Sequence, residues 1–303
     1  MRANSLIRIA LISLLFWSCE KVEKLENFPL ESPKLTVNCN LEANKDIIVE
    51  VTRSLSVIDG AELKSILDAT VKISYVKNGT AISVTQVGVN DNKNGLEVYH
   101  LSLKPETGIN YKIEVSSKKY GNVWSESLMP MTVDIDSVTQ NIIDSSLSSY
   151  GGMYAYMNIN HATSTVKFKD NPNEENYYAF SHNIKINNED SYGVNINSNI
   201  PGTEIINGLV FFNDQTFNGK EYTIQYDWAA YASLDDAIND EVKSSYTLVS
   251  LTKAYYQYLV SYNSYLQNQD NPFADPVQVY NNIFGGYGIF VGSSSSFINK
   301  VIK

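Results

Sequence analysis

Between Lys34 and Pro130 apolar and polar residues alternate almost one for one, and this period of two constrains the fold more than any other feature of the chain. Successive side chains of an extended strand point to opposite faces, so the alternation is that of half-buried strands. Seven segments carry it: LTVNCNLE, DIIVEVTRSLS, ATVKISYV, AISVTQVGV, LEVYHLSL, NYKIEVSS and NVWSESLMP. Asn78-Gly79 and Asn94-Gly95 are dipeptides of the kind that close two-residue hairpins. Cys39 falls on the apolar side of its segment, where a thiol serves as a small hydrophobe.

Seven short strands over roughly 100 residues, separated by turn signals, predict an immunoglobulin-like sandwich over 34–132. The stretch Leu103 to Tyr111 (LKPETGINY) resembles the tyrosine corner of fibronectin type III domains, which implies that the Tyr111 hydroxyl ties back to nearby backbone. After Pro130 the pattern weakens. Candidate strands are STVKFK, NYYAFSHNIKI, YGVNINS, GLVFFN, KEYTIQYDW and YTLVSLT, and PVQVYNN is a further one. Thr252 is a candidate N-cap, and Tyr255, Leu259, Tyr262 and Leu266 behind it repeat at helical spacing. The expected fold class is therefore mainly β. The N-terminal immunoglobulin/fibronectin-III-like sandwich precedes a second β-rich domain over 133–303, which carries one helix at about 253–269.

The first residues bear on location. Arg2 and Arg8 lie in a polar start, Ile9 to Trp17 is apolar, and Ser18 precedes Cys19. A positive start, a short apolar run and a small residue at the cut describe a secretory signal. The run is about half of the ~20 residues that span a bilayer core. With Phe16-Trp17-Ser18-Cys19 as a lipobox, residues 1–18 read as a lipoprotein signal peptide and Cys19 as the site of lipid attachment, as by palmitate. Residues 19–33 are polar, contain two prolines and read as the acylated tether. Fourteen residues, Glu20 to Pro33, extend at most about 45 Å.

Charge narrows the partners. The chain has 23 Lys+Arg against 33 Asp+Glu, a net of −10, and Arg53 is its one arginine beyond the expected signal. Nucleic-acid binding depends on clustered cations that neutralise phosphates, so it is not expected. The three histidines, His100, His161 and His182, lie far apart without metal-binding spacing, and no G-x-S-x-G elbow occurs. Ser293 to Ser296 read as a polar loop, and Gly285-Gly286-Tyr287-Gly288 lacks the lysine of a phosphate-binding loop. No catalytic residues, metal site or cofactor are assigned. Asp235 to Glu241 gathers hard oxygens that suit Ca²⁺, but without the EF-hand spacing it reads as a solvated acidic loop. The 21 tyrosines are more suggestive, since the ring and hydroxyl suit contact with a partner or a sugar. Tyr226, Trp228 and Tyr231, bracketed by polar turns, form the expected exposed ligand-binding cluster.

Several dispersed motifs then converge. Cys19-Glu20-Lys21-Val22, Thr52 to Ser56, Leu67 to Val71, Asp170 to Tyr178, and Asn271 to Val277 with Gly286 to Phe290 together resemble the outer-membrane lipoproteins of the phylum Bacteroidota grouped as domain of unknown function 4249. The resemblance implies a non-enzymatic envelope lipoprotein acting as an accessory of a TonB-dependent transporter, with its outer-membrane barrel as the partner. The protein is expected at the outer membrane, held by lipid on Cys19 and facing the cell surface rather than the periplasm. The alternative is a structural or adhesive surface protein of the fimbrial-subunit kind, and behind it a hydrolase.

Overall fold

The computed structural model describes residues 32–56, 62–150, 154–172, 174–187, 189–198, 204–206, 208–234, 241–271 and 273–302. Pro33–Lys303 forms one compact unit. Its first eight strands are β1 (Leu35–Glu42), β2 (Ile47–Arg53), β3 (Thr70–Lys77), β4 (Thr80–Val87), β5 (Asp91–Lys93), β6 (Leu96–Leu101), β7 (Asn110–Ser117) and β8 (Gly121–Leu128). They include all seven expected from alternation, and β5 is added. Asn78 and Gly79, and likewise Asn94 and Gly95, both take positive φ, the turn that matches the twist of hairpin strands.

Two sheets face each other here, β1-β2-β6-β5 and β4-β3-β7-β8. This is the strand distribution of an immunoglobulin-type sandwich. Alternation places Leu35, Val37, Cys39 and Leu41 of β1 inward with Val49, Val71, Ile73, Ile113 and Val115. Cys39 is a free, buried thiol whose pKa burial pushes up, as befits a core residue. The Tyr111 hydroxyl accepts the Glu106 N–H at 2.9 Å, which completes the tyrosine corner.

The remaining strands are β9 (Ile135–Tyr150), β10 (Tyr154–Lys169), β11 (Tyr177–Ile186), β12 (Glu189–Gly193), β13 (Asn195–Ser198), β14 (Glu204–Ile206), β15 (Leu209–Asn213), β16 (Glu221–Leu234), β17 (Val242–Leu251) and β18 (Tyr287–Val301). One helix, α1 (Lys253–Asn268), separates β17 from β18. Thr252 caps it, its hydroxyl accepting the Tyr255 N–H at 3.3 Å. No helix among the described residues is long and apolar enough to cross a membrane.

The boundary expected at 132/133 does not divide the sheets. A ten-stranded sheet runs β14-β15-β11-β17-β18-β1-β2-β6-β5, with β12 beside β11. Strand β18 joins its halves, antiparallel to β17 and parallel to β1. The sheet β13-β16-β10-β9 packs on the C-terminal half as β4-β3-β7-β8 does on the N-terminal half. Both cores touch the same face of β18, through Phe290 at one end and Ile298 at the other. Helix α1 covers the opposite face, with Leu259 and Tyr256 against Ala179, Phe211 and Leu251.

Between Phe290 and Ile298 that shared face reads Gly292, Ser294, Ser296, and the linker from β8 to β9 crosses there. A Cβ on Gly292 would stand 2.8 Å from the Met129 sulfur. Ser294 donates to the Pro130 carbonyl at 3.3 Å, and Ser296 and Ser250 accept the N–H groups of Ile135 and Val133 at 3.1 and 3.2 Å. An extended linker over a sheet has no ladder partner, so its buried polar groups need side-chain partners. The serine run expected as a loop is thus the middle of a strand. PVQVYNN, expected as a strand, is irregular. Its Asn282 instead brackets Phe290, donating to that carbonyl and accepting that N–H, both at 2.8 Å.

Candidate functional site

The inward alternation of β1 and β2 leaves Asn38, Asn40, Glu42, Ile48 and Glu50 on the other face of the great sheet. They line a groove of about 430 Å³ with Lys45 and Asp46 from the β1–β2 turn, Lys93 of β5 and Ile289 of β18. Its charges are paired, Lys45 with Glu42 at 2.5 Å and Lys93 with Glu50 at 3.4 Å. Ser293 donates to Asn40 Oδ1 at 3.2 Å, and His100 Nε2 lies 3.1 Å from Asp46.

Helix α1 packs on β18 at the side of this groove. Tyr258, Tyr262 and Tyr265 form a ladder along it, with ring centroids 5.7 and 6.3 Å apart and planes within 5° and 17°. Burial raises the pKa of Tyr255 and Tyr258, and the carboxylates of Glu42 and Glu50 add to the shift. The phenols therefore stay protonated and keep a donor each. Sequence periodicity placed Tyr262 and Leu266 on the packed face. The buried residues of the helix are Leu259 and Asn263, with Tyr255, Tyr262 and Leu266 half-buried beside them and Tyr265 exposed. Paired ions, side-chain amides and stacked phenols can bind a polar ligand by hydrogen bonds and ring contact.

A second groove, about 440 Å³, lies where the two cores meet. Leu128 and Met131 give it exposed apolar walls, and Glu126, Glu174, Glu175 and Lys253 surround them. Tyr177 donates to Glu175 at 2.7 Å and Lys253 pairs with the same oxygen at 3.0 Å. These partners, Tyr177 first, hold the Glu175 carboxyl below its usual range.

The expected aromatic cluster is dismantled by strand parity. Tyr226 and Trp228 lie at alternate positions of β16 with Ile224 and point into the core, 3% and 2% exposed; Tyr231, at odd parity, points outward at 53%. The expectation of one exposed patch is therefore corrected. The hub of this core is His182, which the sequence left unassigned. Its ring stacks on Tyr246 at 4.1 Å and meets the edge of Trp228 at 4.6 Å. Its nitrogens lie 3.0 Å from the Tyr226 hydroxyl and 3.0 Å from Ser244 Oγ. Ser164 Oγ accepts the Trp228 N–H at 2.9 Å and lies 2.8 Å from the Tyr246 hydroxyl, which donates to Gln140 at 2.6 Å. Burial lowers the His182 pKa to about 3, so the ring is neutral. Polar side chains sealed in this way specify packing.

A second sealed set lies in the segment of Asp170 to Tyr178. Buried Asp170 accepts from the Tyr178 hydroxyl and, at 2.6 Å, from the Gly219 N–H; Asp214 accepts the Asn176 N–H at 3.0 Å. Burial raises the Asp170 pKa. Cys19 and Asp235 to Asp240 lie outside the described residues; Glu241 pairs with Lys243 at 2.6 Å. Among the described residues no three His, Cys, Asp or Glu side chains gather as a metal site.

No curated protein matches the sequence. Among solved structures the chain is similar to a point mutant of CfaE, the CFA/I adhesin of enterotoxigenic E. coli. Identity is 9% over 89% of this chain and 87% of that one, and the TM-score of 0.22 is below the level of a shared fold. The family model described as domain of unknown function (DUF4249) matches residues 22–297, and the chain belongs to that family.

Proposed function

We propose that the protein is an outer-membrane lipoprotein of the Bacteroidota, anchored by lipid on Cys19 and facing the cell surface. It works there as a non-enzymatic binding subunit of a TonB-dependent transporter. The observation that carries the binding role is the groove of Asn38, Asn40, Glu42 and Glu50 beside the tyrosine ladder of α1. Its lysines are paired with its glutamates, the Tyr258 phenol beside it stays protonated, and its polar groups suit hydrogen bonding to a cargo or to a loop of the barrel. The lipobox residues Phe16 to Cys19 support the anchor, and the tether that follows, extending at most about 45 Å, limits how far the start of β1 can stand from the membrane.

Affinity capture of the tagged protein from gently solubilised membranes tests this reading. Co-recovery of an outer-membrane barrel is expected, reduced several-fold by Tyr262→Ala if the ladder contacts the partner. Clean recovery of the chain with no barrel, or capture unaffected by substitutions throughout the groove, would count against it.

A further inference from the structure

The edge of the N-terminal sandwich carries an exposed aromatic group beside the point where the tether enters. Trp124, on the outer face of β8, stacks on Phe284 with centroids 4.4 Å apart and planes within 14°. The two backbones bridge, Phe284 N–H to the Trp124 carbonyl at 2.8 Å and Trp124 N–H to the Phe284 carbonyl at 3.3 Å. Residues 282–286 thereby cover the edge of β8, a sufficient reason for the backbone contact but not for exposed rings. Trp124 is 41% exposed, Phe284 58% and Tyr287 39%. Lys112 Nζ lies 5.3 Å from the Trp124 ring and Lys34 Nζ 5.4 Å from that of Tyr287.

The chain reaches this place from its N-terminal segment. Lys34 precedes β1, Thr36 pairs with Tyr287, and Gly286 packs between the Leu35 carbonyl and Val123. A lipid on Cys19, fifteen residues before Lys34, would bring this end of the unit to the bilayer first.

We propose that Trp124 and Phe284 form a membrane-contact surface that seats the anchored protein on the lipid headgroup region. Tryptophan favours that interface, and the Lys112 stem beside the ring can reach from it to phosphates. Acidic neighbours set its limits. Glu126 pairs across from Lys112 in the β7–β8 ladder, and Glu114 lies 3.4 Å from Lys112 and 3.5 Å from Lys72. With a net charge of −10 the surface does not recruit a free chain to anionic lipid; it orients one that is already tethered. The proposal thus rests on the anchor proposed above.

Tryptophan emission tests both, because processing at Cys19 removes Trp17 and leaves Trp124 and the core residue Trp228. The acylated protein is placed on phosphatidylethanolamine–phosphatidylglycerol vesicles, its lipid verified by intact mass and its binding by flotation. Vesicles with brominated acyl chains are expected to lower Trp124 emission at least about twofold relative to plain ones, and iodide quenching is expected to fall. Trp124→Phe should abolish both effects, since Trp228 is sealed. Flotation with equal emission on the two vesicle types overturns the contact surface and leaves the anchor standing. Protection from iodide without bromine quenching means that the chain's own N-terminal segment or a second copy covers the rings, and also overturns it. Missing acyl mass with no flotation removes the anchor, and the proposal falls with it.

Discussion

The N-terminal sandwich fills its interior with Val37, Leu41, Val49, Val71, Ile73 and Ile113, while the C-terminal sandwich closes over His182, Tyr226, Trp228, Tyr246, Ser164 and Ser244. Both lie against one face of the same sheet, yet the first core is held by shape and apolar area and the second by a hydrogen-bonded network as well. Tyrosine shows the contrast. In the first core, hydroxyls of Tyr99 and Tyr111 reach backbone, accepting the N–H groups of Ala69 and Glu106. In the second, those of Tyr226 and Tyr246 meet side chains in the interior. An apolar core tolerates repacking that keeps volume, whereas a buried network is costly once a single member is missing.

The comparison is most exposed to Trp228→Ala. It removes the largest buried side chain and the donor to Ser164, with an expected loss of about 4 kcal/mol in urea unfolding. A loss no larger than that of Val49→Ala would erase the distinction between the cores.

Acid should act next. The unfolded chain takes up the His182 proton near pH 6.5 and the folded one only near 3. Stability from this residue is therefore full above pH 6.5 and declines as pH falls through that window, by about 2.5 kcal/mol between pH 7 and 4.5. Urea melts of His182→Asn should lack that part of the slope, whatever its stability at pH 7. An unchanged slope would mean that the buried imidazole is not its source.

A smaller effect belongs to the saddle between the cores. Ser250→Ala leaves the buried N–H of Val133 without its acceptor and should cost about 1.5 kcal/mol. Hydrogen exchange should rise at residues 131–135 and not in β3 or β7. Uniform acceleration would place the loss elsewhere. The mildest substitution, Tyr111→Phe, keeps the ring and frees only the Glu106 N–H, for about 1 kcal/mol by the same melts. A cost comparable with that of Trp228→Ala would show that hydroxyls matter equally in both halves.

The same contrast decides what the sequence reveals. Strands β1 to β4 and β6 to β8 are legible because apolar and polar residues alternate along them and most inward positions are apolar, whereas β5 escapes because it has three polar residues. In β11 and β17 inward positions hold His182 and Ser244, so the binary pattern is blurred where the network sits. Ser294 and Ser296 look like a loop because their hydroxyls serve a linker some 160 residues away in the chain. For Tyr226 and Trp228 the signal was present, in their even spacing from Ile224, and polar flanks obscured it. The helix was legible from spacing and cap, but its tyrosine ladder borders a groove built from β1, β2, β5 and β18. No local window joins such residues.

The parallel pairing of β1 with β18 has a consequence for the order of events in folding. Thr36 through Glu42 meet Tyr287 through Ser293, so the middle of the great sheet unites nearly the first and last strands of the unit. Contacts so distant in sequence form late, because loop closure precedes their reward. A chain emerging N-terminus first leaves one side of β1 unpaired until β18 arrives. Ribosome-stalled or C-terminally truncated chains lacking β18 should therefore stay protease-sensitive in β1, and the great sheet closes only once the last strand is made.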